Sequence, residues 1–187
     1  MIIEDLEDHI AKPSAAVAYV FCKHRENQTT SSLMLSLVAQ LAHQHHQLSR
    51  ELVTLAEECQ KRDPPMVPDR IDCERILDAE VRQFKKVFIV VDALDERLDD
   101  DHGYHLLGSL LKTNCNVLIT SRDIGPITDL LDGANFIEIA ARPNDVMAYL
   151  NFRFQQPETY KLQRVVKNNP SLQPFIVERL VSKSDGM

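Results

Sequence analysis

Apolar residues change their spacing several times along the chain, and each change predicts an element. Ile2, Ile3, Leu6 and Ile10 recur at helical spacing, which predicts a helix from Met1 to Lys12 that Pro13 ends. AAVAYVF, Ala15 to Phe21, is a continuous apolar run of strand length. NQTTSS then offers N-cap residues for a long amphipathic helix, with Met34, Leu37, Val38 and Leu41 on one face and HQHHQ at its end. Leu48, Leu52 and Leu55 predict a second helix to about Cys59. Arg62 to Asp69, with three prolines, predicts a loop. Ile76, Ala79, Val81 and Phe84 mark a further helix. VFIVVD, Val87 to Asp92, is the clearest strand. Leu106 to Lys112 reads as a helix, Asn116 to Asp123 as a strand with a polar end, and Ile124 to Leu131 as a short helix. NFIEIAA, Asn135 to Ala141, reads as a last strand, and everything from Arg142 onward reads as helical.

Strands that alternate with helices predict a parallel sheet covered on both faces, the α/β class. Two-sided cover explains why VFIVV is continuously apolar. In such sheets ligands bind at the carboxyl ends of the strands. Those ends carry Asp92, Asp95 and Glu96 after one strand, and Thr120, Ser121 and Arg122 after another.

Composition narrows the function classes. The 187 residues are 44% hydrophobic and 26% charged, ordinary for a chain that buries a core. A formal charge of −7 argues against a general nucleic-acid binder. Cys22, Cys59, Cys73 and Cys115 have neither zinc-site nor disulfide-framework spacing and predict free thiols in a reducing compartment. No stretch reaches the length of a membrane span, and MIIEDLEDHI is no signal peptide, so a cytoplasmic protein is expected.

An aspartate closing a buried strand is the pattern of a Walker B site. Asp92 would hold Mg²⁺ directly or through water, because magnesium takes oxygen ligands and keeps several waters. Asp95 and Glu96 are placed to orient and deprotonate an attacking water. Ala93 leaves room beside the metal. Arg122 could meet a γ-phosphate. The bland alternative is a solvated loop after a buried strand, with Arg122 in a salt bridge to Asp123 or to the Asp99–Asp101 run. His43 and His46 lack a third metal ligand. Asp99 to Asp101 lack calcium-loop spacing. His102 and His105 have no nucleophile elbow beside them.

FIVVDALDE resembles the Walker B segment of NACHT-type signalling NTPases of the STAND class, and VLITSRD resembles their sensor 1 strand. YVFCKHRENQTTSSLMLSLVAQL resembles the second strand and following helix of the fungal-type, nephrocystin-like branch. FIEIAARPNDVMAYLNFRF and IVERLVSKSDGM resemble the last strand and the start of the following helical domain. The resemblance implies a P-loop NTPase-like core over residues 1–141 and the beginning of a helical domain over 142–187. It also implies Asp92 as metal ligand, Asp95, Glu96 and Arg122 as catalytic, and Thr120 and Ser121 as nucleotide-facing. Its cofactors would be Mg²⁺ with ATP or GTP, and its partners other proteins or copies of itself.

The family's G-x-x-x-x-G-K-[ST] motif does not occur: Leu111 precedes Lys112–Thr113, and Ser182 precedes Lys183–Ser184. In the family that motif lies just before the first helix, which here begins at Met1. The expectation is a chain without the phosphate cradle and without its preceding strand, destabilised, prone to associate and unable to hydrolyse nucleotide alone. The alternative function is a nucleotide-independent interaction module.

Overall fold

The computed structural model describes residues 2–10, 14–23, 28–45, 47–61, 66–97, 101–122, 125–131, 133–140 and 142–183. The expected helix stop at Pro13, Pro64 and Pro65 of the proline loop, His46, Asp99, Asp100, Asp123, Ile124, Ala141 and residues 184–187 lie outside them. The chain divides into two compact units, Met1–Asp132 and Gly133–Met187.

The first unit runs α1 (Ile2–His9), β1 (Ala15–Phe21), α2 (Thr30–Gln44), α3 (Arg50–Gln60), α4 (Arg70–Val81) and β2 (Lys86–Asp92). A 3₁₀ turn (Leu94–Arg97), α5 (His102–Leu110), β3 (Asn116–Ile119) and α6 (Gly125–Leu130) follow. Among the described residues the strands form one parallel sheet in the order β1-β2-β3. Ala15 to Phe21 pair with Lys86 to Asp92, and Phe88 to Val91 pair with Asn116 to Ile119. β2 is therefore central, which is why its apolar run has no polar interruption: Val87, Ile89, Val90 and Val91 are all buried.

The core joins this sheet mainly to α2, α4 and α5, with Leu55 of α3 and Ile127 of α6 at its margin. Met34, Leu37 and Leu41 of α2, Ile76 and Leu77 of α4, and Leu106, Leu107 and Leu110 of α5 cluster with Ile89 and Val91. Helix starts follow side-chain chemistry. Thr29 and Ser32 form a reciprocal capping box at α2, and Asp69 caps α4 seven residues ahead of the first apolar position that marked that helix in the sequence. Ser49 caps α3 by accepting from the Leu52 N–H, while its own hydroxyl donates to Glu80 Oε1 at 2.6 Å and its N–H to the same oxygen at 2.9 Å. Glu80 is fully buried on α4, so one carboxylate pins the start of α3 to the helix beneath it.

The outer edge of β1 is closed by side chains rather than by a strand. Gln44 Oε1 accepts from the Val17 N–H and its Nε2 donates to the Val17 carbonyl, at 3.2 and 2.7 Å. Gln40 treats Tyr19 the same way, at 3.0 and 2.8 Å. Gln28 donates to the Phe21 carbonyl at 3.0 Å and accepts from the Lys23 N–H at 2.9 Å. A primary amide carries one donor side and one acceptor, as a peptide group does, so these glutamines stand in for a neighbouring chain.

Residues 134–140 correct one expectation, because they form no strand. Ile137 and Ile139 remain 85% and 83% exposed. Strand preference expresses packing against cross-strand neighbours, and among the described residues this segment has none. The second unit continues with α7 (Pro143–Phe154), α8 (Tyr160–Asn168) and α9 (Leu172–Lys183), as the helical pattern predicts. Its core is thin: among the described residues only Phe154 and Val177 are buried apolar side chains there.

Candidate functional site

Parallel pairing brings the carboxyl ends of the three strands together, and the polar residues picked out in the sequence gather there. The Thr120 hydroxyl donates to Asp92 Oδ1 at 2.5 Å and accepts from the Ala93 N–H at 2.9 Å. The backbone closes the same knot: Thr120 N–H reaches the Val91 carbonyl at 2.9 Å, Leu94 N–H reaches the Thr120 carbonyl at 3.0 Å, and Cys22 N–H reaches the Asp92 carbonyl at 2.9 Å. Ala93 sits in left-handed backbone, φ 55°, which turns the chain off β2 into the 3₁₀ turn. Among the described residues Asp92 Oδ2 has no partner, so that oxygen stays available at the strand end.

The other acids are treated differently from one another. The Asp95 side chain is only 5% exposed. Its Oδ2 accepts from Arg122 Nε at 2.5 Å and its Oδ1 from the Arg122 N–H at 3.3 Å. The Arg122 side chain is itself 74% exposed, with Nη2 4.0 Å from Glu96 Oε1. Glu96 remains half-exposed. Ser121 is exposed and donates to the Arg122 carbonyl at 2.7 Å. Arg97, which sequence reasoning did not single out, is buried and donates from Nη2 to the Gln28 carbonyl at 2.5 Å.

A run of carboxylates after a buried strand needs positive charge nearby, and the protein supplies two guanidinium groups. Arg122 holds Asp95 directly. Arg97 acts on the same neighbourhood, as the Cys22 thiol reports: burial pushes it up to about 11, Arg97 opposes that rise, and Asp92, Asp95 and Glu96 add to it. Cys22 therefore stays a protonated, inert thiol at the foot of the site.

The nephrocystin 3 N-terminal family model matches residues 1–122. The chain belongs to this family. The matched stretch of the nephrocystin-like domain takes in all three strands and ends at Arg122, so it contains every residue of the knot just described. No curated protein and no solved structure matches the chain.

The donor set can be tested against magnesium. Among the described residues no three His, Cys, Asp or Glu converge as a metal cage. Magnesium does not require one: it binds through one or two carboxylates, with water and phosphate oxygens filling the rest. Asp92 Oδ2 and the half-exposed Glu96 offer that chemistry. Thr120, expected to face nucleotide, uses its hydroxyl inside the protein in both directions. Among the described residues no helix is long and apolar enough to cross a membrane.

Proposed function

We propose that this nephrocystin-like domain forms the Walker B and sensor 1 side of a NACHT-type, nucleotide-dependent signalling switch. The observation that carries the reading is the Asp92 carboxylate: Thr120 fixes one oxygen, and the other has no hydrogen-bond partner among the described residues. Asp92 would hold Mg²⁺, Glu96 would orient water beside it, and Ser121 would lie near the phosphates. Bound there, a Mg²⁺–ATP or Mg²⁺–GTP complex would supply a polarised terminal phosphoryl group. Arg122 has a double task in this reading. It neutralises Asp95 through Nε, and because its side chain is largely exposed the far end of the guanidinium can meet added negative charge while Nε stays on the buried carboxylate.

Nothing in these 187 residues supplies a glycine-rich cradle with its lysine, so the chain alone binds nucleotide weakly and does not hydrolyse it. Thermal unfolding with Mg²⁺–ATP and Mg²⁺–GTP tests the reading. A site filled to about ten times its Kd stabilises by about 1.4 kcal/mol. Asp92→Asn should abolish that shift while leaving the nucleotide-free Tm nearly unchanged. If saturating Mg²⁺–nucleotide leaves wild-type Tm where it was, the switch reading fails, and the self-neutralised Asp95–Arg122 pair favours an interaction module that uses no nucleotide.

A further inference from the structure

Cys22, Cys59, Cys73 and Cys115 are free thiols. Cys22 follows β1 and Cys115 precedes β3, but Cys59 and Cys73 belong to one pair of helices, α3 and α4. Ser49 and Glu80 join the start of α3 to the end of α4. The two helices therefore run antiparallel, and the end of α3 meets the start of α4. Cys59 is the penultimate residue of α3, and Cys73 is the fourth of α4.

Both side chains lie on the core side of their helices. Leu52, Leu55 and Cys59, spaced by three and four residues, are the stripe that α3 lays on the core. Cys73 is fully buried in that core, in the same cluster as Ile76 and Leu77. The short stretch 66–68 holds on to both cysteines. The Met66 N–H donates to the Cys59 carbonyl at 3.3 Å, and the Cys73 thiol donates to the Pro68 carbonyl at 3.9 Å. Burial pushes the Cys73 thiol up from its ordinary 9.0, a hydrogen bond with Ser31 opposes the rise, and Asp72, Asp69 and the Cys59 sulfur add to it. One thiol acts on another in this way only as a near neighbour.

We propose that Cys59 and Cys73 form a reversible disulfide, which clasps the end of α3 to α4 when the protein meets a small oxidising disulfide such as oxidised glutathione. Cys59, half-buried at a helix end, reacts first. Its thiolate attacks one sulfur of the glutathione disulfide, that S–S bond breaks, and one glutathione leaves from the mixed disulfide on Cys59. The Cys73 thiolate then attacks the Cys59 sulfur and expels the second glutathione. Two protein thiols lose two electrons and two protons, and both end on the two glutathione thiols. A disulfide requires Cα atoms about 4.4–6.8 Å apart. The last turn of a helix adjusts to such a demand most easily, and among the described residues of α3 only Leu55 is buried. The bond closes a loop of 15 residues, 59 to 73, and together with Ser49 and Glu80 it holds α3 at both ends. It does not depend on whether Asp92 ever meets a metal.

The test is to incubate the folded 187-residue chain with oxidised glutathione, block the remaining thiols and digest with trypsin. Lys61, Arg62 and Arg70 lie between the two cysteines, so their peptides separate unless a disulfide joins them. Wild type should yield the joined Cys59 and Cys73 peptides in the mass spectrum, and dithiothreitol should release them. The oxidised chain should melt about 6–12 °C above the reduced one. Cys73→Ala should stop at glutathione on Cys59, with no gain in Tm. If that variant does not fold, Cys59→Ser takes its place: it should give no joined peptides and no gain on oxidation, with a reduced Tm close to that of wild type. Wild type that stays unmodified, keeps glutathione on Cys59, joins Cys59 to Cys59 of another copy, or joins the two peptides only in urea overturns the proposal. A joined chain whose Tm does not rise overturns it as well, because the bond then strains α3 instead of clasping it.

Discussion

Gln40 and Gln44 should carry measurable stability out of proportion to their exposed setting. The informative perturbation is methionine at each site and at both. Methionine keeps helix preference and side-chain length, so α2 itself should persist. What disappears is the pair of bonds each amide makes to one residue of β1, at 3.2 and 2.7 Å on Val17 and at 3.0 and 2.8 Å on Tyr19. Val17 is buried, so water reaches its freed groups poorly. At about 1 kcal/mol net for each bond, discounted because these bonds lie at a sheet edge, one glutamine contributes about 1.5 kcal/mol and the two about 3 kcal/mol. For a chain of this length that lowers Tm by about 6–12 °C. Urea unfolding followed by far-UV circular dichroism should show a lower midpoint with unchanged slope, the signature of lost stability without a changed unfolded state. Gln44→Glu sharpens the test: it keeps the acceptor for the Val17 N–H but sets a carboxylate against the Val17 carbonyl, and should be at least as damaging at neutral pH. If the double methionine variant loses less than about 0.5 kcal/mol, water serves that edge equally well and the amides do not replace a strand.

Three further outcomes follow from contacts described above. Ser49→Ala removes the α3 cap and both hydroxyl-mediated links to Leu52 and Glu80, so urea unfolding should register a loss of about 2–3 kcal/mol; less than about 1 kcal/mol would mean the buried carboxylate is hydrated. Thr120→Val keeps the shape and deletes the hydroxyl that serves Asp92 and Ala93, for an expected loss of about 1–2 kcal/mol; an unchanged midpoint would refute the knot as a structural element. Glu74 titrates below its ordinary 4.5, because Ser109 hydrogen-bonds it, with burial opposing and Arg70 assisting. A carboxylate with a depressed folded value stabilises above the unfolded value and loses that contribution as pH falls through the folded one. The stability gap between wild type and Ser109→Ala should therefore narrow as unfolding is measured below pH 4.5, and a gap constant through that range would contradict the assignment.

How legible all this was depends on the range of the interaction. VFIVV declared a central strand because only cover on both faces permits so continuous an apolar run, and β2 is that strand. Parallel connection then forced Asp92 and Thr120 to one end of the sheet, so their meeting could be read before any coordinates. The sorting of the acids could not. Asp95 and Glu96 are adjacent in sequence, yet the 3₁₀ turn buries one against Arg122 and leaves the other half-exposed. Arg97 was invisible for the same reason: an arginine after two acids looks solvated until the turn folds it inward. Phe136, Ile137 and Ile139 misled because a strand needs a neighbour as well as a propensity. The glutamines gave no sign, since their partners are backbone groups that sequence does not distinguish.

The guard on β1 also has a built-in length. A helix advances about 6 Å over four residues, whereas a strand advances about 6.6 Å over two. Side chains four apart on α2 therefore fall nearly in step with alternate residues of β1, as two scales of slightly different ruling coincide over a short distance. After Gln44 on Val17 and Gln40 on Tyr19 the accumulated offset already passes about 1 Å at the next step, about twice the spread of ordinary N–H···O distances. That next position, Phe21, is served from outside the helix by Gln28. The rulings thus set how long an edge one helix can close with a single kind of side chain, and a longer β1 would have had to find another way to end its sheet.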